Sequence, residues 1–211
     1  TGRSFFTLHT KLEELYDQTA DIIDEVAERL LALGHSPVAN LKKALSMAAI
    51  KELEDAGIRL ELLEQPVKAR DLKGLKYVTE RIHTPVMADE SVFGPQEVLD
   101  LVRMRAADII NIKLMKTGGL SGAILTADLA ALYGVDCMIG CMLESSISVA
   151  AAVHLAVAKS DIITKVDLDG PSLCQFDPVE GGVMFNESEI SITDAPGLGI
   201  REIRGLELLP G

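Results

Sequence analysis

The chain has 211 residues, of which 48% are hydrophobic and 25% charged, enough apolar content for a sizeable core and too much for wholesale disorder. Its formal charge is −12, and aromatics make up 4% with no Trp, so nucleic acid finds neither a basic footprint nor a stacking platform. No apolar stretch approaches the ~20 residues that span a bilayer, and no signal peptide pattern opens the chain.

The first ~33 residues have the periodicity of one long amphipathic helix. Leu8, Leu12, Leu15, Tyr16, Ile22, Ile23, Val26, Leu30 and Leu33 recur on one face. Gly34 supplies a stop and Pro37 follows it. The segment His35-Ser-Pro-Val-Ala-Asn40 is the expected linker, and a second helix is expected from Asn40 to Ala56. His9, Glu13, Asp24 and Glu28 share one arc of the first helix, at about 0°, 40°, 60° and 100° for 100° per residue.

Past Gly57 short apolar runs alternate with helical patterns. Strands are expected at residues 60–64, 85–89, 109–114, 135–140 and 163–168, and helices at 71–82, 96–106, 119–133 and 146–159. Runs that are apolar throughout are the mark of parallel strands buried on both faces. The predicted fold class is therefore α/β: a partial (β/α) barrel of about five parallel strands with covering helices, preceded by the long amphipathic helix. Two segments are expected, residues 1–43 and 44–211, packing as one domain or two.

The strand ends carry chemistry. Glu64, Asp89, Lys113 and the pair Asp167/Asp169 recur at intervals of about 25 to 30 residues, the length of one strand, one helix and their loops. In such a barrel the C-terminal strand ends converge on the active site. Any one acid there is as often a helix cap as a ligand. Together they point to a site of hard oxygen donors beside a lysine. Cys137, Cys141 and Cys174 are an odd count without a metal-ligand framework, and they read as buried free thiols of a reducing, cytoplasmic compartment.

The motifs Leu-Leu-Glu64-Gln-Pro66, Pro85-Val-Met-Ala-Asp89-Glu-Ser91, Asn111-Ile-Lys113-Leu-Met-Lys-Thr-Gly-Gly119 and Asp167-Leu-Asp169 resemble successive barrel strands of the enolase superfamily, and among its subgroups the L-Ala-D/L-Glu-type dipeptide epimerases. The likeness runs from about residue 44 to Ile200. It implies Glu64 and Asp89 as two carboxylate ligands of Mg²⁺ and Lys113 as one of two acid/base lysines. It further implies Asp167 and Asp169 as the grip on a dipeptide ammonium. Cys141, Met142, Leu143 and Glu144 fall where a fourth strand meets the pocket, and Met142 and Leu143 are expected to line it. The reaction so implied removes a proton α to a carboxylate, with a divalent cation stabilising the resulting oxyanion. The family pattern also has a Lys-x-Lys, a further Asp and a substrate-closing domain ahead of these strands, and none of them matches a stretch of this sequence.

Residues 1–43 resemble a different family, the Dps-type mini-ferritins, through Phe5-Phe-Thr-Leu-His9-Thr-Lys-Leu-Glu13-Glu-Leu-Tyr16 and Asp24-Glu-Val-Ala-Glu28-Arg-Leu. That likeness places His9, Glu13, Asp24 and Glu28 at iron-ligand positions, although the partner helices of such a site have no counterpart. Two joined likenesses imply a designed or recombined chimera with a seam between Pro37 and Met47. The leading expectation is a structural protein that carries half an epimerase site without native turnover. One alternative is residual Mg²⁺-dependent epimerase or racemase activity on Ala-Glu-like dipeptides, and another is an iron-binding helical module. Open sheet edges would favour a homo-oligomer.

Overall fold

A computed structural model describes residues 60–205. These lie within the unit formed by residues 60–211. The expected front helices, the linker, the seam and the segment boundary near residue 43 lie outside the described residues, as do His9, Glu13, Asp24 and Glu28.

Five parallel strands form one sheet in chain order: β1 (Leu63–Glu64), β2 (Val86–Ala88), β3 (Ile109–Lys113), β4 (Asp136–Gly140) and β5 (Ile163–Asp167). The helices between them are α1 (Leu72–Thr79), α2 (Pro95–Met104), α3 (Leu114–Thr117), α4 (Leu120–Leu132) and α5 (Ser146–Ala158). This is the expected alternation, with β1 trimmed. Its partner β2 is only three residues long, so Leu63 and Glu64 alone find a register, against Val86 and Met87.

Local signals set the helix ends. The Asp71 side chain accepts the Gly74 N–H at 2.8 Å and caps α1, so the helix begins one residue later than its apolar pattern. Pro95 stands in the first turn of α2, where its missing N–H costs nothing. Gly118 and Gly119 separate the single turn α3 from α4. The α5 N-terminus is tied from a distance, because Asp177 accepts both the N–H and the hydroxyl of Ser146.

Alternation along β3 sorts the chemistry. Ile110 and Ile112 are fully buried and face the helices, as do Val86, Ala88, Cys137 and Ile139 on the neighbouring strands. Asn111 and Lys113 point to the other, concave side. At the base of that side Met87, Ile109 and Met138 form an apolar cluster against which Leu62 packs.

The sheet is strongly curled. Lys165 on β5 meets Glu61, just ahead of β1, at 2.8 Å. Four steps of about 4.8 Å would hold the edges of a flat sheet roughly 19 Å apart, beyond the reach of two side chains. Curvature therefore remains barrel-like across the five strands.

The sequence pattern left residues 174–203 without elements apart from the family likeness. A short helix α6 (Gly170–Leu173) precedes them, and they hold two antiparallel pairs: β6 (Val179–Gly181) with β9 (Ile200–Ile203), and the hairpin β7 (Val183–Asn186) with β8 (Glu189–Ile192). The hairpin packs on α5. Among the described residues no helix is long and apolar enough to cross a membrane.

Candidate active site

Glu64, Lys113 and Asp167 are the last residues of β1, β3 and β5, and Asp89 follows β2 directly. Parallel pairing brings all four to one rim. Register sets their common facing: Lys113 lies opposite Gly140, and Gly140 opposite Asp167.

The closest contacts centre on Asp89, which is 5% exposed. Its Oδ2 accepts from Lys113 Nζ at 2.7 Å, and its Oδ1 accepts from Lys116 Nζ. Lys116 also donates to the Asp89 carbonyl at 2.6 Å and the Asn111 carbonyl at 3.1 Å. Burial alone would raise the Asp89 pKa, but the two ammonium groups outweigh it and hold the carboxyl below its usual range. Burial likewise works against the charge on Lys113, and Asp89 with Glu64 more than restores it, leaving the lysine above its ordinary value. For Lys116 burial wins and the pKa falls.

Glu64 differs. Solvent reaches it at the rim, yet the protein wall behind it pushes its pKa up, and Asp89 and Asp167 push the same way. The Asn111 amide, donating to Glu64 Oε1 at 3.0 Å, offsets only part of this. A carboxylate crowded by two others is a natural place for a cation. Glu64 and Asp89 offer the hard oxygen donors that Mg²⁺ takes, and Mg²⁺ commonly uses one or two carboxylates with water completing its shell. The donor set thus fits the ion. No cluster of three His, Cys, Asp or Glu side chains able to hold a metal occurs among the described residues.

The wall is completed by the loop after β4. Met142 there is 48% and Leu143 71% exposed. Glu144 turns inward, is buried, and accepts the Met142 N–H at 2.9 Å. Cys141 receives the Gly170 N–H on its sulfur at 3.3 Å, and burial drives its thiol up to about 11. Asp169 caps the start of α6 and lies near the same sulfur. Gly140 makes room for the rim: a Cβ there would stand 2.6 Å from Asn111 Oδ1 and 3.2 Å from Lys113 Cε.

Three residues at this rim carry no expectation from the strand-end spacing: Lys116, Asn111 and Gln65. Lys116 stood inside a quoted motif, and its i+3 spacing from Lys113 was the available signal. Asn111 would have followed from period-two alternation behind Lys113. Gln65, in the left-handed region at φ 36, ties the ends of β1 and β2 through its side chain.

A curled parallel sheet with helices on its convex side and an ionic cluster at its C-terminal rim defines a (β/α)-barrel domain of the kind whose sites sit at that face. The comparison with known families is then specific. The enolase C-terminal domain-like family matches residues 8–203, and the chain belongs to it. An L-Ala-D/L-Glu epimerase from Clostridium acetobutylicum is 56% identical over 158 residues, 75% of this chain and 44% of that protein. Among solved structures, the substrate-liganded L-Ala-D/L-Glu epimerase from Bacillus subtilis superposes with a TM-score of 0.70 at 47% identity, covering 75% of this chain and 44% of its own. The dipeptide epimerase from Enterococcus faecalis V583 in complex with Mg and the dipeptide L-Leu-L-Tyr gives 0.68 at 47% identity, covering 73% and 43%. The chain thus spans less than half the length of these relatives. The family match takes in residues 8–43, the stretch that resembles a mini-ferritin helix.

Proposed function

We propose that residues 60–205 form one flank of a Mg²⁺-assisted site for moving the α-proton of a dipeptide, with Lys113 as acid/base on one face. The carrying observation is the 2.7 Å bond from Lys113 to Asp89, beside Glu64, at the rim where three strands end. Glu64 and Asp89 would hold the cation, which supplies positive charge for a substrate carboxylate. Asp167 and Asp169 carry the negative charge that suits a dipeptide ammonium, and Met142 and Leu143 offer apolar surface to its side chain. Lys113 as it stands is held protonated, the state that delivers a proton to a planar α-carbon. Acting as base requires the amine to be released from Asp89. One lysine serves one face, so the reaction within reach of these residues is α-proton exchange, while epimerisation needs a second base opposite.

The test is deuterium wash-in at the α-carbon of L-Ala-L-Glu and L-Ala-D-Glu in the presence of Mg²⁺, followed by NMR, with Lys113→Ala as control. Exchange on one epimer, lost in the control, supports the reading. Exchange no faster than the control overturns it.

A second reading has its own observation. Both oxygens of Asp89 are engaged by lysines, which favours a structural protein that keeps the site's frame without turnover. In that reading β1 and β5, the edges of the five-stranded sheet among the described residues, join copies into a homo-oligomer, and sedimentation as a monomer removes that part. The iron-binding module rests on residues outside those described, and an Fe(II) titration that does not saturate ends it.

A further inference from the structure

Lys116 is the second lysine at the rim and the more buried one, with its side chain 8% exposed against 15% for Lys113. It sits on α3, the single turn that starts directly after Lys113, and three residues of helix put both lysines on one side. Gly118 ends that turn in the left-handed region at φ 73, where a residue with a Cβ is strained, and so α3 stops with Lys116 still above the strand end.

An ammonium has three donors, and here each has a partner: Asp89 Oδ1, the Asp89 carbonyl and the Asn111 carbonyl. The two carbonyls belong to backbone directly after β2 and in the middle of β3, which the sheet fixes. The Nζ position is thereby set from two strands, and the carboxylate oxygen bound to it loses its freedom to rotate.

On the Mg²⁺ reading above, we infer that Lys116 is a positioning residue for the cation: it immobilises Asp89 through Oδ1 and leaves Oδ2 as the oxygen that faces Lys113 and the site. Lys116 touches neither substrate nor cation in this role and acts only through Asp89. Simple charge repulsion makes the opposite forecast. Removing a positive group from beside a cation site strengthens binding on Coulomb grounds, whereas freeing Asp89 to turn both oxygens onto Lys113 weakens it. The sign of the change therefore separates the two. Hydrogen-bond partners behind metal ligands typically contribute about 10- to 100-fold in affinity.

The experiment is a calorimetric Mg²⁺ titration of the full 211-residue chain, with Lys116→Met and Lys116→Gln. Gln keeps an N–H donor for Asp89 and guards against loss of fold, which circular dichroism checks. The expected result is Mg²⁺ binding weakened by about 10- to 100-fold in Lys116→Met and by less in Lys116→Gln. Equal or tighter binding in both folded variants overturns the inference. Should the unaltered chain take up no Mg²⁺, the metal reading fails separately, and metal-free crystals of Lys116→Met decide the positioning role. Asp89 turned onto Lys113 through both oxygens supports it, and an unmoved Asp89 carboxylate overturns it.

Discussion

Gln65 Oε1 accepts the backbone N–H of Asp89 at 2.8 Å, so the residue after one rim carboxylate anchors the backbone of the next. The same oxygen accepts the Ser91 N–H at 3.1 Å, while the Gln65 amide donates to Ser91 Oγ at 2.8 Å and the Val67 carbonyl at 3.0 Å. Gln65→Leu leaves two N–H groups at buried residues without their acceptor. At about 1–3 kcal/mol for each unsatisfied buried group, a total loss of about 2–6 kcal/mol is expected by urea unfolding. A loss below about 0.5 kcal/mol would mean that water takes over both N–H groups.

Glu64→Gln is expected to stabilise the metal-free chain at neutral pH. The wall behind Glu64 and its acidic neighbours disfavour the charge, and Gln can still accept from Asn111. Because solvent reaches Glu64, the gain should stay below about 1 kcal/mol. The same change should weaken Mg²⁺ binding. A less stable variant would show that Glu64 is held as a carboxylate by contacts of its own.

Acidification tests Asp89. Its folded pKa is depressed, so its contribution is present above the unfolded value near about 3.9 and lost as pH falls through the folded one. Glu64, with a raised pKa, works in the opposite direction over the neighbouring range. Melting curves from about pH 5 to 2 in a Glu64→Gln background isolate the effect, each kcal/mol moving Tm by about 2–4 °C. Adding Asp89→Asn should flatten this acid limb. An unchanged limb places the acid sensitivity elsewhere.

Gly140→Ala puts a methyl group into the space of Asn111 and Lys113. Overpacking of this kind costs about 1–3 kcal/mol, and displacement of Lys113 should lower any α-proton exchange with it. Full stability and exchange in the variant would show that Asn111 can move aside freely.

The thiols offer a probe of the wall. Burial pushes Cys137 to about 12 and Cys141 to about 11, so neither is nucleophilic at pH 8. Mass-mapped iodoacetamide labelling should spare both in the native chain and modify both in urea. Rapid native labelling of Cys141 would reveal that the loop from Cys141 to Ser145 opens.

Much of this architecture was legible in the chain itself. Continuous apolar runs such as Val86–Ala88 mark parallel strands because both faces are covered, and period-long spacing of charged residues marks the rim. The rest depends on geometry that one strand does not encode. That Asn111 reaches Glu64 two strands away follows from curl and stagger, set by all five strands together. Lys116 sits on a single helical turn, Leu114–Thr117, between the expected strand end at 114 and the expected helix start at 119, and four residues are too few to show a period. The pairs β6–β9 and β7–β8 were missed because their alternation is short and only half-buried, as in the i/e pattern of Glu189–Ile192.

The two-residue period of β3 has a consequence for how this chain can change. One face of the strand, Ile110 and Ile112, anchors the helices, and the other, Asn111 and Lys113, serves the rim. A point substitution on one face therefore acts first on the layer which that face serves. An insertion or deletion of one residue exchanges the faces, driving an ammonium and an amide into the helix layer and two isoleucines into the polar mouth. Length variation in this region should therefore be confined to the loops.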